Sequence, residues 1–173
     1  MEYSFRKANI DDIPKLNEIH QTWEHYLDIQ GDELENSHFF VSITEGNIPP
    51  IDAASKDNYY IYVIYYGETI IGFVEMYAGY PNKDDLWIGL FEIDKPYRRQ
   101  GHGKRIIAEI EKNISDYNCK YLALAVDLKN YRGMKFWTSI GFKEVIRVVG
   151  DNDYGIDKFA KISLRKKRSV QND

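Results

Sequence analysis

At 173 residues, 43% apolar and 14% aromatic, the chain has the length of one domain and enough apolar mass for a core, which excludes a disordered chain. No apolar run approaches the roughly 18–20 residues of a membrane-spanning helix, the N-terminus does not read as a signal peptide, and the lone Cys119 cannot form an intrachain disulfide, which fits a reducing cytoplasm. The net charge of −4 is uneven: residues 161–173 hold five cations against Asp173, a local +4 that leaves −8 on the body and argues against nucleic-acid binding.

Tyr3, Phe5 and Lys7 alternate with small or charged neighbours and predict a short first strand. Asn9 or Asp11 can cap the helix that follows, with Pro14 in its first turn. Ile13, Leu16, Ile19, Trp23 and Leu27 then recur at helical spacing to about Ile29, and Gly31 punctuates the helix. Residues 34–45 read as a second helix or an irregular arm, and 43–58 as turns around Pro49 and Pro50. From Tyr59 the pattern changes to β-branched and aromatic residues. Residues 60–66, the turn Gly67-Glu68, and residues 69–80 form a hairpin. A turn at 81–85 leads to a third strand at 86–93. Residues 103–117 read as a helix, and 121–126 as a strand hydrophobic enough to be buried on both faces. A short helix at 130–140 precedes two antiparallel strands, 142–149 and 156–164, joined through 150–155.

Residues 86–104 hold the chemistry. They read as an apolar strand, a Pro-broken turn and a basic loop punctuated by Gly101 and Gly103 at a helix start. Such a loop can offer consecutive backbone N–H groups and the positive end of a helix dipole to a phosphate. Arg98, Arg99, Lys104 and Arg105 add charge, and the glycines allow close backbone approach, which suits a pyrophosphate. The alternative for the two arginines is a pair of solvated charges beside a turn. A P-loop fails because Arg98 and Arg105 fill its glycine and Ser/Thr places, and a dinucleotide fingerprint fails at Ile106. His102 is expected to be exposed. His20 and His25, five apart, do not share a helix face, so no metal site is expected.

What remains, Arg98-x-x-Gly101-x-Gly103 between strand and helix, resembles the acetyl-CoA loop of the GNAT-type N-acetyltransferase superfamily. A second pattern, Asn130-x-x-Gly133-x-x-Phe136-Trp137-x-x-x-Gly141-Phe142, begins 27 residues after Gly103 with one helix and one strand between. It resembles the superfamily's second motif at matching spacing. The two together cover roughly residues 60–149.

The resemblance implies an α/β (α+β) fold with a mixed, mostly antiparallel central sheet of six to seven strands and helices on both faces. It also implies a splay between the strands at about 86–93 and 121–126. The domain is expected to span 1–164, with a basic, frayed tail at 165–173. Acetyl-CoA is the implied co-substrate, without a metal. Its pantetheine arm would pair with backbone groups of Phe91 and Ile93, as an added strand does. Its pyrophosphate would rest on the loop Arg98, Arg99, Gln100, Gly101, His102, Gly103 and Lys104. By the same carry-over Asn130 and Gly133 lie toward the pantetheine, Phe136 packs on it beside Trp137, and Lys135 approaches the 3′-phosphate. Asn130 is alternatively only a helix cap.

The reaction implied is acetyl transfer to a primary amine by direct attack in a ternary complex. The amine must lose a proton, and the thioester oxygen needs a donor, for which the Ile93 N–H is placed. Glu92, a carboxylate where the strand pattern predicts burial, is either the base or water-positioner or a structural group; Glu75 is second choice. Many members carry a tyrosine acid where this chain has Trp137, so either the thiolate leaves without side-chain acid help, or another tyrosine such as Tyr131 reaches in, or the domain is not an active catalyst. Tyrosines at 59, 60, 62, 65, 66, 77 and 80, with Asp84 and Asp85, favour a small, cationic, partly apolar acceptor. Two other readings are a non-catalytic acyl-CoA-binding module and a protein or peptide N-acetyltransferase. The expected partner is a small-molecule amine, with the chain as monomer or homodimer and no nucleic acid or membrane.

Overall fold

The structure, a computed structural model, describes residues 2–24, 26–30, 34–35, 37–52, 54–153 and 155–168. The expected break at Gly31, the position of His25 and the tail beyond Arg168 lie outside the described residues. Seven strands, β1 (Tyr3–Lys7), β2 (Tyr59–Tyr66), β3 (Thr69–Ala78), β4 (Asp85–Ile93), β5 (Tyr121–Asp127), β6 (Glu144–Gly150) and β7 (Ala160–Lys167), form one sheet in the order β1-β2-β3-β4-β5-β7-β6. Every neighbouring pair is antiparallel except β4 and β5.

The helices are α1 (Ile13–Gln21), α2 (Tyr26–Gln30), α3 (His38–Thr44), α4 (His102–Lys112) and α5 (Tyr131–Ser139). Strand alternation sends Phe73 and Val74 to opposite faces, and each face has its own core. On one, Leu16 and Ile19 of α1 and Phe39 of α3 pack with Val63, Phe73 and Tyr77. On the other, Ile106, Ile107 and Ile110 of α4 pack with Val74, Ile88 and Leu124, with Phe136 and Trp137 of α5 at the rim. No described helix is long and apolar enough to cross a membrane.

Several boundaries move from the sequence reading for local reasons. The first helix stops at Gln21 instead of continuing to Ile29, because Thr22 turns its hydroxyl back onto the Ile19 carbonyl and ends the ladder. The helix expected over 103–117 ends at Lys112, capped by Asn113, and continues as a short 3-10 turn at Ile114–Tyr117. The last strand runs to Lys167, so Arg165, Lys166 and Lys167 lie inside the sheet and not in a tail. There they pair with β5, and Arg165 and Lys166 bind Glu144 and Glu111. Burial of β5 on both faces holds except at Ala125, which is exposed.

The centre of the sheet carries the feature on which the site depends. Leu90 pairs with Glu75 and Ile88 with Met76, which leaves Gly89 as an extra residue, a β-bulge. Bulges bend a strand and increase its twist. Parallel pairing of β4 with β5 stops at the same place, reaching Ile88 with Leu124 and going no further. Beyond the bulge β4 stays on β3, where Gly72 makes room: a Cβ there would sit 2.3 Å from the Glu92 carbonyl oxygen. The outer half of β4 therefore leaves β5 and keeps β3.

Candidate active site

The gap opened by the bulge has backbone groups of β4 on its wall. The Glu92 carbonyl lies against Gly72, and the Asp94 N–H donates to the Ile71 carbonyl at 2.8 Å, so both face β3. Main-chain direction alternates along a strand, so Phe91 and Ile93 direct their backbone groups toward the gap. The Ile93 carbonyl accepts a hydrogen bond from Arg98 Nε at 2.6 Å. The Phe91 ring lines the same gap, with centroids 6.4 Å from Phe136 and 5.9 Å from Trp137.

At the end of β4 a 3-10 turn (Lys95–Tyr97) leads into the glycine loop. Arg99 (φ 64°) and Gly101 (φ 82°) both adopt left-handed conformations. Alternating handedness of this kind turns successive N–H groups to one side, as in backbone anion nests. Among the described residues, the N–H groups of Arg99 through Lys104 meet no backbone acceptor. A side chain at Gly101 would meet nothing within 4 Å, so the loop is open there. At Gly103 a Cβ would lie 3.2 Å from Phe136 Cζ, which places this glycine against the aromatic wall.

Two residues of this loop differ from expectation. His102 is buried, with 5% of its surface exposed, because its Nδ1 is 2.7 Å from the Tyr3 hydroxyl and Tyr3, Tyr66 and Tyr97 surround its ring. Its side chain fastens the start of α4 to β1. The Arg98 guanidinium does not point at the loop's amides. Besides Ile93 it donates to the Thr22 carbonyl at 2.9 Å and the Thr22 hydroxyl at 2.5 Å, while the Arg98 backbone N–H donates to the Lys95 carbonyl. It ties the loop to the end of α1. The Gln100 side chain turns back to the Pro96 carbonyl, whereas Lys104 and Arg99 make no side-chain ion pair among the described residues.

Asn130 caps α5 by accepting from the Gly133 N–H at 2.8 Å. Gly133 permits this, since a Cβ there would be 2.6 Å from the Asn130 amide nitrogen. Phe136 and Trp137 reach the gap, and Lys135 is exposed. Tyr131 is 81% exposed at the first turn of α5 and stands in solvent, so the structure does not bring it together with Glu92.

On the α1 and α3 face, two buried carboxylates each hold a histidine. Glu92 Oε1 is 2.6 Å from His20 Nδ1, and Glu75 Oε1 is 2.7 Å from His38 Nε2. Among the described residues, the second oxygen of each carboxylate is buried without a hydrogen-bond partner. The Ser42 hydroxyl lies 3.4 Å from the same Nε2 of His38, so Ser42, His38 and Glu75 are not strung through both ring nitrogens as a nucleophile triad requires. Burial, and then the Glu75 carboxylate, push the Tyr59 hydroxyl well above the usual tyrosine range, so it stays protonated. Beside His38 and Ser42 lies a cavity of about 270 Å³, also lined by Leu34, Ser37, Val41 and Asn47. The sequence reading found both carboxylates but missed their histidine partners. A histidine in the last turn of an amphipathic helix was the available signal for His20.

A β4–β5 gap and a nest of open amides beside it suit a diphosphate on an amide-bearing arm. The family model described as the acetyltransferase (GNAT) family matches residues 16–142. The chain belongs to the GNAT acetyltransferase family. This acetyltransferase is 27% identical over 119 residues to a protein of Bacillus subtilis subsp. natto named as a probable spermine N(1)-acetyltransferase, covering 64% of this chain and 78% of that one. Among solved structures it resembles an acetyltransferase from Thermus thermophilus with a TM-score of 0.72 at 14% identity, over 96% of this chain and 97% of the other. It also resembles spermidine N-acetyltransferase from Vibrio cholerae, solved with CoA and spermine, with a TM-score of 0.71 at 11% identity over 96% and 95% of the two chains. The mixed seven-stranded sheet of this acetyltransferase is the fold of these neighbours.

Proposed function

We propose that this acetyltransferase moves the acetyl group of acetyl-CoA to a primary amine of a small, cationic acceptor by direct attack in a ternary complex. The observation that carries the reading is the β4–β5 gap, which opens beside the free amides of residues 99–104. The pantetheine amides would add to β4 at Phe91 and Ile93, and the diphosphate would rest on the amides of Arg99, Gln100, Gly101, His102, Gly103 and Lys104. Arg98 would hold the loop without touching the phosphate. Phe136 and Trp137 would flank the arm, with Asn130 and Gly133 shaping the turn beneath them and Lys135 at the solvent end.

The acceptor would enter from the α1 and α3 face. Two buried carboxylates there, Glu75 and Glu92, supply negative charge, and the acidic body of the chain attracts cations. The names of the Bacillus and Vibrio proteins, which refer to spermine and spermidine, support a polyamine-like acceptor. Thiol release from acetyl-CoA over a panel of amines tests the reading. Spermidine, spermine and other small polycations should outpace neutral amines and N-terminal peptides. Acetyl-CoA binding with no release on any amine would point to a sensing module, and release with peptides alone would move the acceptor class to proteins.

A further inference from the structure

The proposed reaction needs a group to take a proton from the incoming ammonium, and the Glu92 carboxylate is poorly placed to meet it. Glu92 is 5% exposed; one oxygen is held by His20, and the other is buried with no hydrogen-bond partner among the described residues. A substrate reaching toward this carboxylate meets His20 first, since the imidazole is the more open member, with 13% of its side chain exposed against 4%. Among the described residues no donor or acceptor meets His20 Nε2.

Resting on the acetyltransferase reading, we propose that His20 Nε2 is the atom that deprotonates the acceptor amine, and that Glu92 is its positioning residue. The carboxylate accepts the Nδ1–H, which fixes the tautomer and leaves the Nε2 lone pair free. It also stabilises the imidazolium that forms. Three rings shape the recess: Tyr26 at 4.7 Å between centroids, Phe39 at 6.2 Å and Trp23 at 6.3 Å. Aromatic faces attract an ammonium before it gives up its proton.

Among the described residues, the groups that face His20 are Glu92 from β4, Tyr26 from α2 and Phe39 from α3, with Trp23 just beyond its own helix. Arg98 binds the end of α1 through Thr22, two residues on, so the helix that carries His20 is joined directly to the glycine loop. In the balanced step, the ammonium passes one proton to Nε2. Its freed lone pair forms the N–C bond to the thioester carbon, and the C–S bond breaks. The second ammonium proton goes to the departing thiolate, and His20 later returns its proton to water. The products are the N-acetylamine, CoA thiol and one proton.

The test is the pH profile of thiol release for the wild type, His20→Ala, His20→Gln and Glu92→Gln, on the best amine of the panel. Turnover of both His20 variants should fall about 100-fold or more, within the range positioned acid–base groups supply. Acetyl-CoA affinity should hold, the acidic limb should vanish, and added imidazole should restore part of the rate to His20→Ala. Glu92→Gln should lower turnover but keep an acidic limb, because His20 remains while its ring loses the acceptor that fixes the tautomer. Nitrogen NMR shifts of His20 in the wild type should show a protonated Nδ1 and a bare Nε2 above the limb, a readout independent of whether any variant folds. A wild type that transfers to amines, with His20→Ala within about threefold of it and its acidic limb intact, would overturn the proposal and leave the acetyltransferase reading standing. So would a protonated Nε2 in the neutral ring. A wild type inactive on every amine would overturn both.

Discussion

Arg98→Ala separates two roles for the arginine that begins the glycine loop. Its guanidinium makes three hydrogen bonds within the protein, at 2.6 Å to the Ile93 carbonyl, 2.9 Å to the Thr22 carbonyl and 2.5 Å to the Thr22 hydroxyl. Hydrogen bonds from a charged group contribute about 1.5–3 kcal/mol each, and neutral ones about 0.5–1.5. Arg98 is only half-buried, so water replaces part of what is lost. We therefore expect a loss of about 2–4 kcal/mol in total. For a chain of this length each kcal/mol corresponds to about 2–4 °C in Tm, so the melting point should drop by about 4–16 °C. Thermal unfolding followed by circular dichroism gives the shift, and calorimetric titration gives acetyl-CoA affinity below the new Tm. The loss should fall on stability, with affinity changed by less than about threefold, whereas Lys104→Ala should weaken affinity and leave Tm within about 2 °C, as a surface substitution does. An Arg98→Ala protein with unchanged Tm and affinity weakened tenfold would refute the clamp and return Arg98 to the phosphate.

Three further outcomes follow from the geometry. Gly72→Ala places a methyl 2.3 Å from the Glu92 carbonyl oxygen, and overpacking of this kind costs about 1–3 kcal/mol; chemical denaturation should show that loss, with turnover falling as Glu92 is displaced. Gly133→Ala removes the space that the Asn130 cap occupies and should cost about 1 kcal/mol, measured the same way. The third outcome concerns acid. Burial works to raise the Asp12 pKa, but hydrogen bonds from Arg6 and the Asn9 N–H outweigh it and hold the carboxyl below its ordinary value of 3.8. That contribution to stability is complete well above pH 3.8 and fades as pH falls through and below that value. Asp12→Asn should therefore be less stable at neutral pH and lose less on acidification, and parallel wild-type and variant curves would exclude the pair as the cause.

The order of elements and both glycine motifs were legible because local chemistry writes them: β-branched runs, a Pro-broken turn, Gly101 and Gly103 at a helix start. The burial of Glu92 was legible too, from a carboxylate inside Leu-Phe-Glu-Ile. What the sequence did not carry was pairing between distant residues. His20 and Glu92 are 72 positions apart and meet only because α1 lies across β4. His102 read as exposed because a histidine between two glycines looks like loop, and the tyrosines that bury it come from β1, β2 and the turn after β4. Arg98 read as a phosphate ligand because its acceptors at Thr22 lie 76 positions earlier. The bulge at Gly89 had one sign, a glycine inside a strand, and that sign does not say which neighbour the strand will leave.

The central claim is that a CoA arm occupies the place of a missing strand beside β4. Residue-resolved amide hydrogen exchange, with and without CoA, addresses it most directly. CoA should slow exchange at Phe91 and Ile93 and from Arg99 through Lys104, and should leave Glu92 unchanged because its backbone already faces β3. Protection absent from Phe91 and Ile93 at saturating CoA, or confined to residues outside the gap and the glycine loop, would contradict the account.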